Sequence, residues 1–300
     1  MSAPDIDSVD QYLADLQARI VTAFSGFEPH ARFRGEASAK LGTRAQPMVL
    51  EGGETFDKAA VMYTRVRGER LPASVSDRRP EIAGAPFEAV SLSLITHPRN
   101  PFVPTVHMNL RFFLVATARP VWHFGGGYDL TPVYPFAADA IHWHRHAHDA
   151  VEAVYPSLYQ HLKQACDAYF TITHRGHTRG VGGIFFDDWT QGGFATCLAF
   201  TKSVGERFLP AYLPLVRTRQ NTPWHEAHKR FQRLRRGRYA EFNLVLDRGT
   251  QYGLESGRRT ESVLASLPPQ ADWAYDWRPP SESHEALLET QYLKPRDWLA

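Results

Sequence analysis

The sequence predicts an α+β protein, and two patterns lead to that reading. Residues 88–115, EAVSLSLITHPRNPFVPTVHMNLRFFLV, hold two runs of alternating residues around a short Pro-rich turn, the pattern of a β-hairpin. Before and after it, apolar residues recur at helical spacing, so helices accompany an antiparallel pair of strands.

The first helix follows Ser8, which can form a capping box with Gln11; Val9, Leu13, Leu16, Ile20 and Phe24 make its stripe, ending near Gly26. Short strands are expected over 32–36, 48–51 and 59–67, separated by Gly and Pro. After the hairpin, 121–124 reads as a strand running into Gly125, Gly126 and Gly127. The glycines are followed by Asp and Pro rather than by the Lys and Ser or Thr of a phosphate loop, so a tightly turned or mobile site loop is expected there.

Residues 137–170 are helical in character, broken at Pro156, and carry the run His142, His144, His146, His148. On a helix, residues four apart share a face, so no more than two of these can enter one pocket. A buried strand over 181–186 ends in Asp187 and Asp188, which suit either a site rim or a turn with a helix cap. Helices are expected over 194–208 and 223–236. The second is strongly basic, and acidic neighbours favour a solvated or carboxylate-facing helix over RNA binding. A short strand over 241–246, a turn over 253–259 and an apolar helix from Thr260 complete the chain before its aromatic, Pro-punctuated end.

With 300 residues, 43% of them hydrophobic, the chain can bury a large core. No repeat, low-complexity tract or linker interrupts it, so one domain over 1–300 is expected. A net charge of +2 gives no argument for nucleic acid. No apolar run approaches the roughly 18 residues of a membrane span, and the acidic N-terminus lacks an apolar signal core, so a cytoplasmic protein is expected. Cys166 and Cys197 stand far apart, which argues against a disulfide framework or a thiolate-held iron–sulfur cluster.

Alternation places Val90, Leu92 and Leu94 on one face of the first hairpin strand and Ser91, Ser93, Ile95 and His97 on the other. In the second, Val106, Met108, Leu110 and Phe112 are the apolar face, and His107, Asn109 and Arg111 the polar one. Pairing across 99–105 would gather Ser93, His97, His107, Asn109 and Arg111 into one patch. Such a face can simply meet solvent. Two His, an Asn, a Ser and an Arg, however, are groups that coordinate, donate and transfer protons.

The segments HPRNPFVPTVHMNLRFF (97–113), WHFGGGYDLTPVYPF (122–136), DAIHWH (139–144), RGVGGIFFDD (179–188), RRGRYAEFNLVLDRGT (235–250) and GRRTESVLASLPP (257–269) closely resemble oxygen-dependent coproporphyrinogen III oxidase, in order and over nearly the whole chain. The resemblance implies a haem-pathway enzyme that oxidatively decarboxylates two propionates of coproporphyrinogen III to vinyl groups, giving protoporphyrinogen IX. O2 is the co-substrate, CO2 and H2O2 are released, and no organic cofactor is used. It further implies a large, mainly antiparallel sheet sandwiched between helices, and a homodimer whose contact lies around residues 239–275, between Tyr239 and Tyr275. Proposed metal ligands fall on His97, His107, His144 and His174, with His107 also the catalytic proton donor. Substrate contacts fall on Ser93, Asn109, Leu110, Arg111, Gly257, Arg258 and Arg259. Arg258 stands where the family commonly has Gly. Imidazoles suit zinc, copper, iron or nickel, and a His pair can equally be a proton relay. Two other readings are a non-catalytic tetrapyrrole carrier and a His-ligated iron oxygenase.

Overall fold

A computed structural model describes residues 4–40, 42–71, 82–255 and 258–300. Helix α1 (Ile6–Ser25) buries the expected stripe of Val9, Leu13, Leu16, Ile20 and Phe24. Its cap differs from expectation. Asp5 accepts the backbone N–H of Ser8 at 3.1 Å, while Gln11 turns away to Asp15. A carboxylate at that position satisfies a free helix donor and complements the positive end of the helix.

Among the described residues, seven strands form one antiparallel sheet in the order β1-β2-β3-β4-β5-β6-β9. They are β1 (Ser38–Lys40), β2 (Thr43–Glu51), β3 (Phe56–Gly68), β4 (Phe87–Pro98), β5 (Thr105–Val115), β6 (Val121–Thr131) and β9 (Gly182–Trp189). The small strands β7 (Thr171–Ile172) and β8 (His177–Thr178) pair separately. The hairpin is β4 with β5. The strand expected over 32–36 is reduced to a single bridge between Arg34 and Val49.

The apolar face of the hairpin meets α1, α2 (Ala137–Glu152) and α4 (Phe194–Arg219) in the main core, where Leu92, Met108, Leu110, Phe112, Trp143 and Phe208 are all shut from solvent. Each such side chain contributes about 1.5–3 kcal/mol by burial. That packing explains why α4 runs past its expected stop at 208. Pro210 and Pro214 each remove a helix hydrogen bond, yet Ala211, Tyr212, Leu215 and Val216 stay buried beyond them.

The other face is covered in part by α5 (Glu226–Glu241), through Tyr239 against Ala60 and Ile95, and by Phe170, which follows α3 (Tyr159–Tyr169) and packs with Phe242. Helices therefore lie on both sides of the sheet, as the α+β reading requires. Residues 242–246 are not the expected strand; Phe242–Leu246 continues α5 as a π-helical turn, burying Phe242 and Asn243. The basic residues of α5 face carboxylates: Lys229 and Arg236 reach Asp57, Arg233 reaches Asp272 and Arg238 reaches Glu241. Helices α6 (Arg248–Glu255), α7 (Thr260–Val263) and α8 (His284–Leu287) follow. Among the described residues, no helix is long and apolar enough to cross a membrane.

Candidate active site

Register decides which polar groups meet. Across β4 and β5, Ser93 opposes Asn109, Ser91 opposes Arg111 and Ile95 opposes His107. Across β5 and β6, His107 opposes Asp129, Asn109 opposes Gly127 and Arg111 opposes Gly125. Ser93, His107, Asn109 and Arg111 thus share one half-buried face, as alternation predicts.

The glycine run corrects an expectation, because it is not a loop but lies inside β6, where all three glycines pair with β5 and Gly126 and Gly127 also pair with β9, Gly125 falling at a register shift. A Cβ on Gly126 would stand 2.3 Å from the Asn109 carbonyl oxygen, and one on Gly127 2.0 Å from that of Ile184. Their φ angles of +153° and +137° are themselves unfavourable for other residues. Gly125 serves a different purpose. A Cβ there would come within 2.8 Å of the Arg111 guanidinium, so its absence lets that side chain lie across the strand.

At one end of the face, His107 Nδ1 lies 2.9 Å from Asp129 Oδ1, with the ring edge-on to Phe170. Arg179 grips Asp129 through Nε and Nη2, at 2.9 and 2.8 Å, and donates Nη1 to Asn243. Its guanidinium is enclosed by the rings of Phe170, Tyr239 and Phe242, 4.1–4.7 Å from their centroids. Burial pushes the Asp129 carboxyl up, but Arg179 and the bond to His107 outweigh it and hold the group below its ordinary value. Asp129 is therefore a fixed anion that accepts the Nδ1 proton and leaves Nε2 of His107 for exchange.

At the other end, Arg111 donates Nη1 to Asn109 at 3.0 Å and Nη2 to Asp187 at 2.6 Å. Arg248, at the start of α6, reaches the second oxygen of Asp187 at 3.1 Å and lies over the ring of Tyr169. Tyr169 stacks on Phe185, centroids 4.3 Å apart and planes 14° from parallel. The result is two partly exposed cations beside a pair of stacked, half-buried rings. Asp187 and Asp188 belong to the last residues of β9, and Asp187 is committed to these arginines.

Other expected positions separate from this face. Leu110 points into the main core because it alternates with Asn109 and Arg111, so only its backbone belongs to the site strand. His97 shares the parity of the patch but is completely buried, with Nε2 2.9 Å from the Ser266 carbonyl oxygen and Tyr239 edge-on to its ring. Burial, reinforced by Arg236, pushes it down to about 3. The expected five-residue patch therefore reduces to four open residues. His144 lies in the α2 layer, bonded to the Tyr159 hydroxyl at 2.7 Å and the Val181 carbonyl at 2.9 Å; burial pushes it down to about 4. His174 is exposed and bonded to Glu241 at 2.9 Å.

The four histidines do not fit a single metal centre: both ring nitrogens of His144 are taken by protein partners, and His174 is bonded outside the patch. Among the described residues no group of three or more His, Cys, Asp or Glu could hold a metal ion. Gly257 lies outside the described residues. Arg258 stands over the Tyr252 ring and Arg259 pairs with Glu261, both exposed, so their contacts run within their own loop.

Sequence reasoning passed over Asp129, Arg179 and Arg248 as site residues. Asp129 follows a glycine run that looked like a loop, and Arg179 meets its partner only across 50 positions. A family model described as coproporphyrinogen III oxidase matches residues 8–298, so the chain belongs to that family, whose reaction is part of porphyrin biosynthesis.

Proposed function

We propose that this family member is the oxygen-dependent, cytoplasmic enzyme, converting two propionates of coproporphyrinogen III to vinyl groups to give protoporphyrinogen IX. For each propionate, –CH2CH2COO⁻, O2 and one proton become –CH=CH2, CO2 and H2O2. The two electrons released with the carboxylate and a neighbouring C–H reduce O2, so no further oxidant is needed.

The observation that carries this reading is the pairing of Arg111 and Arg248 beside the Tyr169–Phe185 stack. Guanidinium groups bind carboxylates through paired hydrogen bonds, and the neighbouring rings of Tyr169 and Phe185 give the pair an apolar flank. Holding one propionate fixes its neighbour over the reactive position. Ser93 and Asn109 supply polar contacts on the same face. His107, oriented by Asp129, is the group placed to deliver the proton the balance requires.

We also infer a homodimer formed through residues 239–275. Leu244, Val245, Leu254, Trp273 and Tyr275 in that segment are exposed, and a second copy would cover them. Sedimentation of the protein and of Val245→Asp compares the two states. The function is tested by aerobic incubation with coproporphyrinogen III, following vinyl product, oxygen uptake, CO2 and H2O2. Conversion that stops under argon supports the reading. Binding without conversion would leave a carrier in its place.

A further inference from the structure

The two arginines of the polar face share one carboxylate. Asp187 offers Oδ1 to Arg111 Nη2 at 2.6 Å and Oδ2 to Arg248 Nη2 at 3.1 Å. Its Oδ1 also accepts the backbone N–H of Asp188 at 3.0 Å. One arginine on each oxygen is the arrangement a propionate carboxylate would make with the same pair.

The surroundings allow exchange. The three side chains are 29–49% exposed, so water and ligand reach them. Arg111 is also tied to Asn109, and Arg248 also lies over Tyr169, contacts that do not involve Asp187. Both cations therefore hold their places while the anion is replaced.

Resting on the reading that this face takes a macrocyclic polycarboxylate, we propose that Asp187 is an internal stand-in for a substrate carboxylate. It keeps Arg111 and Arg248 paired until a propionate displaces it. It is thus a positioning residue, and it also sets selectivity. A small monocarboxylate trades one ion pair for an equivalent one and gains little. A ligand that adds further carboxylates and an apolar body gains contacts that Asp187 cannot supply. Isolated carboxylates are thereby kept out of the site.

The test uses the intact protein, with phenylglyoxal labelling of Arg111 and Arg248 read by peptide mass spectrometry and propionate as the protecting anion. With Asp187→Asn, both arginines should label several-fold faster, and the propionate concentration that protects them should fall about tenfold, as expected when a competing charge-assisted contact is removed. Protection should also become more sensitive to salt, because the two cations then lack the carboxylate that lay between them. Asp187→Ala should move the same readouts in the same direction, with circular dichroism establishing that both variants are folded. Unchanged or weaker protection in folded variants would overturn the proposal and leave Asp187 as a brace only. If exchange moves as expected but the wild type does not convert coproporphyrinogen III, the functional reading falls and this inference stands. If conversion occurs and protection does not move, this inference alone falls.

Discussion

Strands β4 and β5 have one face made of Val90, Leu92, Leu94, Val106, Met108, Leu110 and Phe112, all essentially inaccessible, and another bearing Ser93, His107, Asn109 and Arg111, all partly open, where His107, Asn109 and Arg111 are bonded to polar partners. The two sets alternate along the same residues. A slip of one position would exchange them wholesale, so the apolar face fixes the register that assembles the polar one. Stability and chemistry are divided by parity within one hairpin, and adjacent substitutions should separate them.

The largest effect is expected on the packed face. Phe112→Ala should cost about 3–5 kcal/mol in a denaturant titration, while the remaining folded enzyme keeps its KM. One position away, Arg111→Gln should lower kcat/KM about a hundredfold through loss of a charge-assisted carboxylate contact, with stability changing by under about 1 kcal/mol. Equal losses of stability at both positions would break the division.

The glycine run sharpens the same comparison within three residues. Gly127→Ala forces a Cβ against the Ile184 carbonyl at a positive φ and should destabilise by at least about 1–3 kcal/mol. Gly125→Ala meets only the Arg111 side chain, so it should raise KM several-fold and leave the melting temperature nearly in place.

The histidines give the smallest and most specific contrast. His144 in the folded protein titrates near 4, below its unfolded value of 6.5, so between these limits the unfolded chain binds more protons. Its contribution to stability is complete above pH 6.5 and is lost as pH falls toward 4, by up to about 1.4 kcal/mol per pH unit inside that window. His144→Gln should flatten this dependence in urea titrations while turnover per folded molecule is retained. Loss of turnover with normal stability would return His144 to the site.

Alternation made the hairpin and its two faces legible in the sequence, because β-strand geometry converts odd and even positions directly into sides. Ser93, His107, Asn109 and Arg111 were recoverable for that reason. Glycine misled at 125–127 because it serves turns and close strand approaches alike, and only the neighbouring carbonyls distinguish them. Residues 242–246 look like a strand by composition, but burial of Phe242 against Cys166, Phe170 and Ile172 goes with the helical continuation of α5. Histidine spacing says nothing about layers, so His97, His107, His144 and His174 look alike in sequence although their surroundings differ. Asp129, Arg179 and Asp187 owe their roles to partners 22–76 positions away, beyond the reach of local pattern.

In the proposed function, the polar face holds the propionates of the macrocycle through Arg111 and Arg248. Side-by-side aerobic turnover of coproporphyrinogen III by wild type and Arg111→Gln, with KM and kcat resolved and folding checked by circular dichroism, tests it most directly. The wild type should give vinyl product with stoichiometric CO2, and the folded variant should have lost most of its kcat/KM. A folded variant with wild-type KM and kcat would contradict it.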